Sequence, residues 1–210
     1  MLQFITHHTS RYNHIEGAIA ALEGGCKWIQ LRMKETNKED IRHAIEELKP
    51  ICRKHNAILI IDDYVELASQ TDIDGVHLGK NDMPISQARQ ILGEKYIIGG
   101  TANTFEDIQS LTEQGVDYIG LGPFRYTETK QNLSPILGIE GYRKMMQQCR
   151  ECGINTPIVA IGGIEEEDVE PLMSTGISGI AMSGCILRND NPMYQTNQII
   201  KTLNHIIYGE

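Results

Sequence analysis

Short apolar runs alternate with amphipathic stretches along the chain, and this alternation limits its possible folds more than any other feature. Each run has the length of a buried strand, and helical periodicity follows it. The predicted strands are residues 2–5, 28–31, 57–61, 75–78, 96–98, 117–121, 157–161 and 179–182. The predicted helices are residues 14–23, 37–55, 64–69, 84–92, 104–114, 139–152, 165–174 and 193–207.

Eight strand–helix units without a break in composition predict the α/β class and a single (β/α)8 TIM barrel over residues 1–210. Asn37 is the predicted N-cap of the second helix, with Asp40 placing negative charge in its first turn. An open doubly wound sheet is the alternative fold. Its glycine fingerprint, GxGxxG after the first strand, has no counterpart in residues 7–14, HHTSRYNH.

The charge and hydropathy of the chain exclude several classes of partner. A net charge of −9 argues against broad capture of nucleic acid. No apolar run approaches the roughly 18 residues of a membrane span, and the first residues lack a signal-peptide pattern. Because the five cysteines are scattered, we expect reduced thiols in a cytoplasmic protein. Assembly into a homo-oligomer stays open.

Polar or glycine-rich residues follow seven of the eight predicted strands, where TIM barrels carry their active sites. Polar and apolar side chains alternate over residues 30–34. The polar side chains, Gln30, Arg32 and Lys34, therefore face one side of the strand. The apolar side chains, Leu31 and Met33, suit the helix layer on the other side. An inward row of this kind is costly to bury without an anion. The alternative is a row of charges that frays from the end of the strand.

Two carboxylates follow neighbouring predicted strands. Asp63 and Asp82 lie near the basic row in this fold, and Mg2+ is commonly held by one or two carboxylates together with phosphate oxygens. We therefore predict Mg2+ bridging a diphosphate. The alternative is structural: Asp63 caps the next helix, and Asp82 caps a turn at Pro84.

A second anion site is predicted after the last two strands. The segments AIGGI, residues 160–164, and AMSGCI, residues 181–186, let backbone N–H groups approach a phosphate. The loop TETK, residues 127–130, follows strand six and brings Lys130 towards the diphosphate; the alternative is an ordinary solvated loop. His77 is interpreted as a core or pocket histidine, and His7 and His8 receive no role.

The chain carries six motifs that, in the order in which they occur, resemble those of the thiamine-phosphate synthase family. They are QLRMK at 30–34, IDDYVELA at 61–68, DGVHLGKND at 74–82, GLGPFRYTETK at 120–130, AIGGI and AMSG. The resemblance implies a barrel enzyme, a transferase, that joins a pyrimidine methyl diphosphate to a thiazole phosphate. The products are then thiamine phosphate and pyrophosphate.

The resemblance also assigns residue roles. It implies catalytic roles for Lys130, Arg32 and Lys34, and Mg2+ at Asp63 and Asp82. Pyrimidine diphosphate binding is implied for Gln30, Leu31, Arg32, Met33, Lys34, Asp62, Thr101 and Lys130. Thiazole phosphate binding is implied for Thr127, Glu128, Thr129, Gly163, Met182 and Ser183.

Two positions depart from the family pattern. Asp62 stands where the family usually has Asn, and Thr101 stands where it usually has Ser. The alternatives are a thiazole tautomerase, which resembles a pattern with His in place of Pro123, and a non-catalytic barrel that binds thiamine precursors. Intact Asp63, Asp82 and Lys130 favour the enzyme.

Overall fold

The computed structural model describes residues 1–126 and 135–209, and its elements follow the predicted order. The strands in this part of the chain are β1 (Leu2–Ile5), β2 (Trp28–Leu31), β3 (Ile58–Asp62), β4 (Gly75–Leu78), β5 (Ile97–Ala102), β6 (Tyr118–Leu121), β7 (Ile158–Ile161) and β8 (Gly179–Met182). The helices are α1 (His14–Glu23), α2 (Lys38–Lys54), α3 (Val65–Thr71), α4 (Ile85–Leu92), α5 (Phe105–Glu113), α6 (Gly138–Glu151), α7 (Val169–Met173), α8 (Gly184–Arg188) and α9 (Pro192–Tyr208).

Parallel pairing closes the strands into a ring in the order β1 to β8. The ring is completed by β1, which pairs with β2 through Phe4 and Ile29 and with β8 through Leu2 and Ile180. The predicted (β/α)8 barrel is therefore confirmed.

Alternate residues of each strand face the barrel interior or the surrounding helices. The interior holds a small apolar cluster around Trp28 and Tyr118, whose rings meet edge to face at 4.6 Å between centroids. A larger cluster, which includes Ile29 and Leu31, lies between the strands and the helices. Because the interior is filled, a ligand site has to form at an end of the barrel.

Local sequence determines where several helices begin. The side chain of Asn37 accepts a hydrogen bond from the Asp40 N–H at the start of α2, as predicted. Asn13 and Glu16 form a reciprocal capping box at the start of α1. Among the described residues, no helix is both long enough and apolar enough to cross a bilayer.

The helix predicted over residues 165–174 is divided into a 3-10 helix, Glu166–Asp168, and α7. Two further elements differ from the sequence prediction. β5 continues to Ala102, because Gly99 and Gly100 pair with β6 although glycine disfavours strands. α8 was not predicted, since five residues show too little periodicity to be recognised. Both differences lie at the end of the barrel that carries the polar residues.

Candidate active site

A cleft crosses the barrel at the C-terminal ends of the strands, and its two sides differ in chemistry. The charged side follows β2, β3 and β4 and comprises Arg32, Lys34, Asp62, Asp63 and Asp82. The glycine side follows β7 and β8 and comprises Gly162, Gly163, Ser183 and Gly184. Arg32, His77 and Thr101 line both, so the two sides form one continuous cleft.

The cations of the charged side are already paired with carboxylates. Lys34 Nζ donates a hydrogen bond to Asp63 Oδ2, and Arg32 Nε lies 3.5 Å from Asp62 Oδ2. Each pair joins neighbouring strand ends. An incoming anion can therefore compete with these carboxylates for the same cations.

Asp62 and Asp63 point in different directions, as adjacent residues at a strand end do. Asp62 is buried in the barrel, where its Oδ1 accepts a hydrogen bond of 2.6 Å from Gln30 Nε2. Gln30 Oε1 in turn accepts one of 2.8 Å from Gln3 Nε2. Burial and, to a smaller extent, the charge of Asp63 raise the pKa of Asp62 to about 7. Asp62 therefore belongs to the barrel interior, where Arg32 is its ion-pair partner.

Asp63 and Asp82 lie beside each other at the rim. Asp63 adopts a positive φ of 64°, which is unusual for a residue with a side chain. Burial raises the pKa of the Asp63 carboxyl, and hydrogen-bonding contact with the Asp82 carboxyl raises it further. The N-cap of α3 is Tyr64, without a side-chain cap, so Asp63 is not a helix cap. Asp82 does close a turn, because its Oδ2 accepts a 2.7 Å bond from Gly79 N–H.

A chain of hydrogen bonds forms the floor of the cleft. His77 Nε2 lies 2.9 Å from Thr101 Oγ1, and His77 Nδ1 lies 2.8 Å from the Tyr118 hydroxyl. Gln3 Nε2 donates to that hydroxyl over 3.1 Å. His77 is thus held in the floor of the cleft, which fits its interpretation as a pocket histidine.

On the glycine side, the loop after β6 packs directly on the two residues after β7. Gly162 and Gly163 have φ values of 99° and 66°, which side chains disfavour. A Cβ on Gly163 would lie 2.8 Å from the carbonyl oxygen of Tyr126, and one on Gly162 would lie 2.8 Å from Cβ of Pro123. Only glycine fits here without displacing the loop.

Ser183 supplies a hydroxyl to the same side. Its Oγ is buried and has no hydrogen-bond partner among the described residues. A buried hydroxyl without a partner is costly, so its position beside the cleft is compatible with a bound acceptor.

The structure brings most of the predicted site residues to the cleft. Those lining it are Gln30, Arg32, Lys34, Asp62, Asp63, Asp82, Thr101, Gly163, Met182 and Ser183. The side chains of Leu31 and Met33 pack towards the helices, so only their backbone groups are available to a ligand. Thr127, Glu128, Thr129 and Lys130 lie outside the described residues.

Several cleft residues were missed from the sequence. Asn103 directly follows the end of β5 at Ala102, which lies four residues beyond the predicted end at residue 98. Arg188, which pairs with Glu165, ends the short α8. His7 also lines the cleft, and burial, followed by the charge of nearby Arg32, lowers its pKa. Correct bounds for β5 and α8 would have placed Asn103 and Arg188 at the cleft.

Comparisons with known proteins agree with this geometry. The family model for thiamine monophosphate synthase matches residues 2–186. A thiamine-phosphate synthase of Bacteroides thetaiotaomicron is 57% identical over 199 residues, covering 95% of each chain. One from Flavobacterium johnsoniae is 47% identical over 208 residues, covering 99% of this chain and 96% of the relative.

A solved structure has the same fold throughout. Thiamine phosphate pyrophosphorylase from Pyrococcus furiosus superposes with a TM-score of 0.86 at 30% identity, covering 98% of this chain and 96% of the other. The resemblance found in the motifs is therefore confirmed over nearly the whole chain. The chain belongs to the thiamine monophosphate synthase family.

Proposed function

We propose that this enzyme joins a pyrimidine methyl diphosphate to a thiazole phosphate, with Mg2+, and releases thiamine phosphate and pyrophosphate. The family to which the chain belongs has thiamine-phosphate synthase activity, which is a transferase activity. The two substrates, the ion and the residue roles are the proposal. The observation that carries it is one cleft with an ionic side and a glycine side, which share Arg32, His77 and Thr101.

The charged side is proposed to bind the diphosphate. Arg32 and Lys34 would exchange their present carboxylate partners for diphosphate oxygens. As the diphosphate departs, negative charge grows on it, and fixed cations stabilise that charge more than they stabilise the bound substrate. The aminopyrimidine can stabilise the methylene cation that remains, and the thiazole nitrogen then attacks that carbon.

The contact between Asp63 and Asp82 fits a divalent cation. Two ionised carboxylates so close repel each other unless a proton or a cation lies between them. Asp63 and Asp82 would hold Mg2+, and the bound ion would neutralise charge on the leaving diphosphate. The described residues contain no cluster of three or more His, Cys, Asp or Glu suited to a metal. Mg2+ is commonly held by one or two carboxylates plus phosphates and waters.

Thr101 is proposed to lie at the pyrimidine. Its hydroxyl is oriented by His77, whose ring is in turn oriented by Tyr118. Threonine keeps the hydroxyl of the family's usual serine and adds a methyl group. Gln30 is proposed to contact the diphosphate of the same substrate, with its amide oriented by Gln3 and Asp62.

The glycine side is proposed to bind the thiazole phosphate. Gly163 offers backbone groups at a position that only glycine occupies without strain, and Ser183 offers a buried hydroxyl. Met182 lines the same cleft and would contact the apolar part of the ligand. Anions bind readily to such backbone concavities.

Four residues complete the proposal from the sequence. Thr127, Glu128 and Thr129 are expected at the thiazole phosphate, and Lys130 at the leaving diphosphate. If Lys130 meets charge that grows in the transition state, Lys130→Ala lowers kcat more than it weakens thiazole phosphate binding. Lost thiazole phosphate affinity with unchanged kcat would instead assign Lys130 to the other side.

The direct experiment mixes purified protein with both substrates and Mg2+ and follows thiamine phosphate by mass spectrometry and pyrophosphate by phosphorus NMR. The proposal predicts equal amounts of both products. Omitting the pyrimidine diphosphate is the control, because a tautomerase would still convert the thiazole phosphate. Binding of both substrates without release of pyrophosphate would indicate the non-catalytic alternative.

A further inference from the structure

An ion pair outside the cleft connects the loop after β6 to the start of α7. Arg125 Nη1 donates a 2.7 Å hydrogen bond to Asp168 Oδ2, and Nη2 donates a 2.9 Å bond to Oδ1. Asp168 is 9% exposed, so one partner of the pair is nearly buried. Two parallel bonds of this kind fix orientation as well as distance.

The same pair holds both ends of the segment from Gly163 to Glu165. Arg125 Nη1 also donates a 2.8 Å bond to the carbonyl oxygen of Gly163. Asp168 Oδ2 accepts a 2.8 Å bond from the Glu165 N–H. The backbone N–H of Arg125 adds a 2.9 Å bond to the carbonyl of Gly162. One guanidinium and one carboxylate therefore determine how this segment lies.

The orientation of one peptide group follows from these contacts. In a trans peptide, the C=O and the following N–H point in opposite directions. Arg125 binds the Gly163 carbonyl but does not itself line the cleft, whereas Gly163 and Ile164 do. The Ile164 N–H, which belongs to the same peptide, thus points away from Arg125.

We propose that Arg125 and Asp168 are positioning residues, which turn the Gly163–Ile164 peptide so that its N–H faces the phosphate of the thiazole substrate. Neither residue touches the substrate. The inference rests on the proposed function in one respect, the assignment of thiazole phosphate to the glycine side. It adds that affinity for this phosphate depends on an ion pair behind the binding surface.

A second ion pair of similar design provides a matched control at the opposite end of the barrel. Arg89 Nη2 lies 2.6 Å from Asp117 Oδ2, and Arg89 Nη1 donates a 2.7 Å bond to the Tyr96 carbonyl. Asp117 Oδ2 also accepts a 2.7 Å bond from the Ile98 N–H. This pair too joins a loop carbonyl to a backbone N–H, but it lies where β5 and β6 begin.

The test compares Arg125→Met with Arg89→Met, by steady-state kinetics with both substrates, calorimetric titration of thiazole phosphate alone, and thermal unfolding. Arg125→Met should raise the KM and the Kd for thiazole phosphate about tenfold, with the KM for pyrimidine diphosphate within about twofold of the parent. Arg89→Met should lower Tm and leave both KM values unchanged. Arg125→Lys should recover part of the affinity for thiazole phosphate, because the lysine ammonium keeps the positive charge but cannot make the two parallel hydrogen bonds of the guanidinium.

Three results would overturn the inference: unchanged thiazole phosphate affinity in Arg125→Met, equal rises in both KM values, or the same affinity loss in Arg89→Met. If Arg125→Met fails to fold, Asp168→Asn tests the inference instead. Asparagine keeps the shape of the aspartate side chain and an acceptor for the Glu165 N–H. A rise of about threefold in Kd is expected there, and no rise contradicts the inference.

Failure of the proposed function gives a different result. A parent protein that binds thiazole phosphate but forms no thiamine phosphate would refute the function, while the titrations would still test Arg125. An active parent with unchanged affinity in Arg125→Met would refute the inference alone. A parent that binds no thiazole phosphate would refute both.

Discussion

The two sides of the cleft are suited to anions by different means. On the charged side, the cations of Arg32 and Lys34 and the carboxylates of Asp62 and Asp63 sit in ion pairs that a ligand has to rearrange. On the glycine side, the proposed anion ligands are backbone groups and a hydroxyl without a partner among the described residues, and the ion pair of Arg188 and Glu165 lines the edge of the cleft beside them. The first side depends on which charges are present, whereas the second depends on backbone shape.

Removal of divalent metal should have the largest effect and should act on the charged side alone. In excess EDTA we expect turnover to fall at least about a hundredfold, because the diphosphate then leaves without its counter-ion. Added Mg2+ should restore it. Calorimetry should show unchanged thiazole phosphate binding in EDTA. Undiminished turnover in EDTA would disprove the metal assignment.

Asp82→Ala should have the next largest effect. We expect kcat/KM for the pyrimidine diphosphate to fall at least about tenfold, which is ~1.4 kcal/mol of barrier. Asp190→Ala is the control, since Asp190 is a fully exposed carboxylate that pairs with Arg11. Initial rates across a Mg2+ titration measure both variants. Equal small losses would leave Asp82 with only its turn-closing role.

Gly163→Ala tests the dependence of the glycine side on backbone shape. The new methyl group would lie 2.8 Å from the Tyr126 carbonyl oxygen, so the loop or the glycine segment has to move. We expect the KM for thiazole phosphate to rise about tenfold.

Gly153→Ala is the matched control for that substitution. Gly153 has a φ of 67°, close to the 66° of Gly163, but its added Cβ would meet nothing within 4 Å. Both variants should lose about 1 kcal/mol of stability from the left-handed backbone. Only Gly163→Ala should change KM, and equal KM values in the two would show that the packing against Tyr126 does not matter for binding.

Asp62→Asn should have the smallest effect, although it removes a charge from the same side. Asp62 is buried against Gln30, so it is not expected to be an essential ligand. Asparagine keeps an acceptor for Gln30 and gains a donor. At saturating Mg2+, we expect retained activity and an equal or lower KM for the pyrimidine diphosphate. Near-total loss of kcat would make Asp62 an essential ligand or base.

The same substitution should change how stability depends on pH. The raised pKa of Asp62, about 7, lies above the ordinary aspartate value of about 4, so the folded protein keeps a proton that the unfolded chain releases. This contribution favours folding at low pH and is lost as pH rises from about 4 to 7. The Tm of Asp62→Asn minus that of the parent should therefore grow over this range. A constant difference would contradict the raised pKa.

Sequence periodicity and residue type account for the parts of the molecule that are local in the chain. The eight strands, the Asn37 cap and the polar residues after the strands were predicted because each depends on neighbouring residues. The end of β5 was misplaced because Gly99 and Gly100 are held in the strand by pairing with β6, which is not a local property.

The partners of the site residues could not be predicted from local pattern. Asp62 contacts Gln30, 32 residues earlier, and Arg125 contacts Asp168, 43 residues later. Such pairs depend on how the barrel closes and on which way each strand-end residue points. The sequence therefore indicated which residues lie at the cleft but not which of them hold one another.

The most direct test of the difference between the two sides is a crossed titration. Asp82→Ala and Gly163→Ala are each titrated by calorimetry with thiazole phosphate and, separately, with pyrophosphate in the presence of Mg2+. We predict that Asp82→Ala loses affinity for pyrophosphate at least about tenfold and keeps its affinity for thiazole phosphate, while Gly163→Ala shows the reverse. Loss of affinity for the same ligand in both variants would contradict the assignment of two separate anion sites.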